Sequence, residues 1–197
     1  MPEVAAPALG NKENLVSVDV DVPTSANGVL YALGGFSGGL TLYVKDGVLS
    51  YEYNLFEIMR TNIKAKDKLP TGKVKVEVLT TYLERRPAGP LKVVLKVNGK
   101  DVASGVVPVS APLIFTANDC LDFGIDLGSP VGLEYYDQAP FKFNGKIEGA
   151  RVQYLNAPRT VAGREIANAR SDPGTGLTGH AIPSAASAPS SIPERCI

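Results

Sequence analysis

The run VSVDVDV sets Val16, Val18, Val20 and Val22 against Ser17, Asp19 and Asp21. A period of two puts the four valines on one face of an extended strand and the polar residues on the other, which no helix of that length can do. The pattern recurs along the chain. LTLYV leads through Asp46-Gly47 into VLSYEYNL, and LKVVLKV leads through Asn98-Gly99 into KDVASGVV. Asp-Gly and Asn-Gly between alternating runs predict hairpins, because both residues tolerate the positive φ angles of the tightest turns. VKVEVLTTYL and FKFNGKIEGARVQYL supply further strands.

Strands punctuated by Gly, Pro, Asn and Asp, with no convincing amphipathic helix, predict an all-β fold. The expected form is an antiparallel two-sheet sandwich of the jelly-roll type. A short helix near SAPLIFTAND is compatible with this fold but not needed. After Tyr154-Leu155 the composition changes. Residues 157–197 are about half Ala, Ser, Gly and Pro, with five prolines, a content that buries too little to offset chain entropy. The expected organisation is a sandwich over residues 1–156 and a low-complexity, disordered tail over 157–197; AGREIANAR is either one short helix or polar linker.

Twenty basic and twenty acidic side chains cancel, and no Lys/Arg-rich block appears, which argues against nucleic acid as a partner. No run of 18 or more apolar residues is present, so no helical membrane span is expected. The start of the chain lacks a basic segment followed by an apolar run. It does not read as a secretory signal, and a cytoplasmic location is the default expectation. With that default, the two cysteines, Cys120 and Cys196, are expected to be unpaired thiols.

The residues that carry chemistry are sparse. Gly34-Gly35 and Gly38-Gly39 flank Phe36-Ser37, but they run into the strand LTLYV and are followed by no Lys-Ser/Thr pair or helix, so a bend is expected and a phosphate cradle is not. The lone histidine, His180, falls in the tail and makes a Ser-His triad improbable. Cys120, Cys196 and His180 are too scattered for zinc. Glu52 and Glu57 lack the spacing and parity of a glycosidase carboxylate pair and are expected to be solvent-facing strand charges. Asp119, Asp122 and Asp126, in NDCLDFGIDLGSP, are the candidate oxygen ligands for Ca²⁺, weighed against simple turn formation. Tyr135, Tyr136 and Asp137, between Pro130 and Pro140, are the candidate ligand-contact residues.

The order of several motifs adds to this reading. GGFSGGLTLYVKDGVLSYEYNLFE, LPTGKVKVEV, VVLKVNGKDVASGVVP, DFGIDLGSPV and APFKFNGKIEGARVQYL together resemble the C-terminal region of large bacterial arylsulfatases over roughly residues 2–155. The resemblance implies a concanavalin A-like lectin/glucanase sandwich that accompanies a sulfatase catalytic domain. It implies no catalytic residue here, because neither cysteine begins the Cys-x-Pro-x-Arg motif from which the sulfatase nucleophile is made. The expectation is a non-catalytic module, without a cofactor unless Ca²⁺ binds, whose partner is a sulfatase catalytic domain or another protein subunit. The alternative is a carbohydrate-binding module for glycans, sulfated ones included.

Overall fold

The computed structural model describes residues 1–115 and 119–155. Ten strands follow in order: β1 (Asn14–Val22), β2 (Gly28–Gly35), β3 (Gly38–Lys45), β4 (Val48–Leu55), β5 (Met59–Lys68), β6 (Gly72–Tyr82), β7 (Leu91–Val97), β8 (Lys100–Val107), β9 (Leu121–Phe123) and β10 (Lys146–Tyr154). They form two five-stranded antiparallel sheets, a back sheet β10-β1-β6-β7-β8 and a front sheet β5-β4-β3-β2-β9. The fold is an all-β, two-sheet jelly-roll sandwich.

The back sheet follows the alternation. Val16, Val18, Val20 and Val22 of β1 pair with Val78, Val76, Val74 and Gly72 of β6, and all four valines of β1 are buried. Leu91, Val93, Leu95 and Val97 extend that face across β7. The opposing wall is Leu30, Leu33, Leu40, Leu42, Val44, Leu49, Tyr51, Tyr53 and Ile63 of the front sheet. Apolar area withdrawn from water between the two faces is the main source of stability.

Both hairpins form as the turn residues require. Asp46 and Gly47 have φ of 53° and 82°, and Asn98 and Gly99 have φ of 50° and 79°, the left-handed pair that matches strand twist. The Asp46-Gly47 turn joins β3 to β4 and the Asn98-Gly99 turn joins β7 to β8.

The front sheet departs from alternation. β2 is buried at every position, and β3 and β4 at all but one. The reason is a covering segment, residues 124–144, here called the strap, which crosses the outer face of this sheet and carries a 3-10 helix over Leu133–Gln138. Val131, Tyr135 and Phe141 from the strap pack with Val29, Ala32 and Tyr43 from the sheet as a second, smaller core. A strand covered on both faces loses its polar face, so β2 gives no period-two signal.

Three further expectations are revised. Residues 110–115 and 119, the described part of SAPLIFTAND, contain no helix. FKFNGKIEGARVQYL becomes a strand only from Lys146, because Phe141 and Phe143 turn into the two cores ahead of it. Cys120 is disulfide-bonded and not a free thiol. Cys120 sits beside the chain start: Pro2 bridges to it, the Leu121 amide donates to the Met1 carbonyl at 2.6 Å, and the Met1 amine donates to the Leu121 carbonyl at 3.0 Å. The tail assigned to 157–197, with AGREIANAR and His180, lies outside the described residues. Among the described residues no helix is long and apolar enough to cross a membrane.

Candidate binding surface

Beside the apolar patch of Val29, Ala32 and Tyr43, the outer face of the front sheet is polar by sequence. Thr41 of β3, Glu52 and Asn54 of β4, and Arg60 and Asn62 of β5 stand on it, since Thr41 pairs with Glu52, Glu52 with Asn62, and Asn54 with Arg60. Left open, this face would be solvated. The strap buries part of it, and buried polar groups must then find partners or cost about 1–3 kcal/mol each.

Glu52 is 3% exposed, which corrects the expectation of a solvent-facing charge. Arg60 Nη1 donates to Glu52 Oε1 at 2.6 Å and to the Val131 carbonyl at 2.8 Å, and the Leu133 amide donates to Glu52 Oε2 at 3.3 Å. Burial pushes the Glu52 carboxyl above its ordinary range, while Arg60 and the Leu133 amide oppose that shift. One ion pair on the sheet thus holds two successive parts of the strap. Glu57 is exposed as expected, although it lies in the β4–β5 turn at φ 61° and not in a strand.

Asp126 and Tyr135 form the second tie. Tyr135 is fully buried, its ring edge-on to Tyr43 at 5.0 Å and stacked on Phe141 at 5.0 Å. Its hydroxyl donates to Asp126 Oδ2 at 2.6 Å and lies 3.0 Å from Thr41 Oγ1, and the Val131 amide donates to the same Asp126 oxygen at 2.9 Å. Burial pushes the Asp126 carboxyl up to about 6, with Asp122 and Asp119 adding to it and the Tyr135 and Val131 hydrogen bonds opposing it. Burial, then the Asp126 charge, raises the Tyr135 hydroxyl far above the usual phenol range.

Of the three candidate contact residues, Tyr135 therefore faces inward. Tyr136 is 49% exposed and Asp137 is exposed. Tyr136 meets Phe36 edge-on at 5.5 Å, and the Arg60 guanidinium lies over the other side of the cluster, 5.3 Å from the Phe36 ring. Asn54 links the two turns behind this corner: its Nδ2 donates to the Phe36 carbonyl at 2.6 Å and its Oδ1 accepts from the Glu57 amide at 2.9 Å. Ile58 of the β4–β5 turn and Leu133 of the strap are exposed, each close in sequence to these contacts. Tyr136 and Asp137, singled out by sequence, are exposed here, whereas Phe36, Asn54 and Arg60 beside them carry no sequence signal, because the pairing that gathers them is long-range.

The three candidate calcium ligands are engaged separately. Ser129 Oγ lies 3.3 Å from Asp119 Oδ2 and also accepts the Phe36 amide at 3.1 Å, Asp122 accepts the Leu127 amide at 3.2 Å, and Asp126 holds Tyr135 and Val131. Among the described residues no three His, Cys, Asp or Glu side chains gather as a metal site.

No family model matches this chain, and no curated protein matches it. Solved structures do. Domains LG4-5 of the mouse laminin alpha1 chain superpose with a TM-score of 0.55 at 19% identity, covering 81% of this chain and 42% of that one. The LG1-3 region of the laminin alpha2 chain superposes with a TM-score of 0.51 at 16% identity, covering 75% of this chain and 29% of that one. The fold is a concanavalin A-like sandwich. This chain spans less than half the length of either laminin structure. At these identities the likeness is one of fold, and the arylsulfatase resemblance rests on the quoted motifs alone.

Proposed function

We propose that the chain is a non-catalytic interaction module of a larger, arylsulfatase-like protein, with a sulfatase catalytic domain or another subunit as its partner. One observation carries the reading. The two buried carboxylates of the strap-covered face, Glu52 and Asp126, are spent on holding the strap: Glu52 accepts from Arg60 and the Leu133 amide, and Asp126 accepts from the Tyr135 hydroxyl and the Val131 amide through one oxygen, its other oxygen being buried without a partner. A general acid or nucleophile needs an approach for substrate, and this pair lies beneath residues 131–135 instead. The motif resemblance supports the choice of partner. The test is a titration of the purified chain with an arylsulfatase catalytic domain, run beside an assay on a nitrophenyl sulfate. A one-to-one complex without turnover by the chain alone is expected; enzyme-like turnover by the chain overturns the reading.

A second reading, glycan binding, is favoured by the half-exposed Tyr136 ring braced by Phe36 and flanked by Asp137. Sugar faces stack on such rings, and nearby polar groups fix their orientation. Calorimetry with sulfated and neutral polysaccharides tests it, with Tyr136→Ala as the variant that removes the ring. A saturable heat lost in that variant supports glycan binding, and its absence leaves the protein-partner reading alone.

A further inference from the structure

Among the described residues the sandwich is closed on one side and open on the other. β5 and β8 pack together along one side, where Gly105 lies against Ile63. On the other side the sheets end at β9, three residues long, and at β10, nine residues long. β10 pairs with β1 along one edge, and among the described residues no strand pairs with the other. An open edge presents a row of backbone donors and acceptors to any segment able to extend the sheet.

Beside this edge runs a groove of about 400 Å³ lined by Phe123, Ile125, Phe143 and Ile147, with Lys142 at its rim. Phe123 is 40% exposed there, and Ile147 is only partly covered. The charge along the edge is uneven. Lys142, Lys146 and Arg151 are exposed, whereas Glu148 is paired with Lys73 at 3.4 Å.

The fold itself shows what kind of strand suits β10. β1 lies antiparallel on its paired edge, placing Val20 opposite Ile147, Val18 opposite Ala150 and Val16 opposite Val152 on the core side. On the outer side Asp21 stands opposite Lys146 and Ser17 opposite Arg151. Apolar residues facing inward therefore match the core side of β10, and on the outer side an acid faces Lys146 while a hydroxyl faces Arg151.

We propose that the free edge of β10 takes an extended segment of a partner protein in which apolar and acidic residues alternate. Its backbone continues the back sheet, its apolar side chains enter the groove, and its acids face the edge on which Lys146 and Arg151 are exposed. The inference rests on reading the chain as an interaction module, and it names the edge and the chemistry of the partner.

The probe is a synthetic peptide of residues 14–22, the β1 sequence, added to the whole chain at low salt. Amide exchange of 146–154 is expected to slow at least about fivefold as the edge gains partners, with no change at β8. The double variant Lys146→Glu, Arg151→Glu changes only exposed side chains and is expected to weaken the peptide about tenfold. The same peptide with Lys at both Asp positions is expected to recover binding to that variant. No slowing at β10, equal slowing at β8, or affinity indifferent to both charge reversals overturns the proposal. Turnover of an aryl sulfate by the chain would sink the module reading instead, so the two failures are told apart.

Discussion

Asp126 is the residue at which burial and charge conflict most. Its carboxyl sits at about 6 in the folded chain against an ordinary value of 3.8. A folded value above the unfolded one means the folded state holds the extra proton between about pH 4 and 6. Stability from this group is therefore fully present at low pH and is lost as pH rises through that window. The whole effect is on the order of 3 kcal/mol. The measurement is the urea unfolding free energy of the chain minus that of Asp126→Asn, taken from pH 4 to 8. The difference is expected to favour the native carboxyl most at the acid end and to level off above pH 6; a flat difference would mean that the buried carboxyl is not the titrating group.

Glu52 poses the opposite problem, since its charge is matched. Replacing it by Ala leaves the Arg60 guanidinium without its anion in a site where Arg60 is only 19% exposed. Removing one member of a largely buried pair costs about 3 kcal/mol or more. Arg60→Met together with Glu52→Leu is expected to recover most of that, because an apolar pair of similar volume needs no counter-charge. Urea midpoints of the two variants check both statements.

The strands differ in how plainly the sequence declares them, and the reason is what covers each face. β1, β6 and β7 have one face in the core and one in water, so their alternation was readable, as were the Asp-Gly and Asn-Gly turns beside them. β2 is covered on both faces and so shows no alternation, and β5 is an edge strand with five of its ten residues at intermediate exposure or buried, ending in NIKAKDK. Glu52 was misjudged for the same reason: alternation says which face a residue is on, not whether that face meets water. Tyr136 and Asp137 stand exposed on a long irregular segment, whereas Tyr135, one residue earlier, turns under it.

The glycine-rich stretch expected to bend is the turn of the β2–β3 hairpin. Gly34 has φ of 84°, and a Cβ on it would lie 2.3 Å from the Gly38 carbonyl oxygen. Gly99, in the other hairpin, has φ of 79° but nothing within 4 Å of such a Cβ. The two substitutions separate backbone strain from collision. Gly99→Ala is expected to cost about 1 kcal/mol, the strain of a left-handed residue alone. Gly34→Ala is expected to cost upwards of about 3 kcal/mol, because the facing strand must also move. Thermal unfolding of both variants checks the ordering, and equal losses would show that strain alone operates at Gly34.

At the scale of the whole molecule, the chain start is tied into the sandwich beside one short strand. β9 pairs with β2 over Tyr31–Leu33, its first residue exchanges backbone hydrogen bonds with Met1, and its neighbour Cys120 bridges to Pro2. A covalent bond at Cys120 therefore acts on the only strand of the front sheet that is three residues long. Cross-links stabilise chiefly by restricting the unfolded chain, and the benefit is largest where the element they anchor makes few hydrogen bonds of its own. The sequence holds two cysteines, and thiol titration in denaturant without reductant is expected to find neither reactive; after reduction it is expected to find both. Reduction should lower the unfolding free energy by about 2–4 kcal/mol. Hydrogen exchange places the loss: it should rise first at Leu121–Phe123 and the amides paired with Met1, while the β1–β6 ladder, which touches none of these residues, keeps its protection until global unfolding. Exchange rising evenly across both sheets would show instead that the bond acts on the unfolded chain as a whole and not through β9.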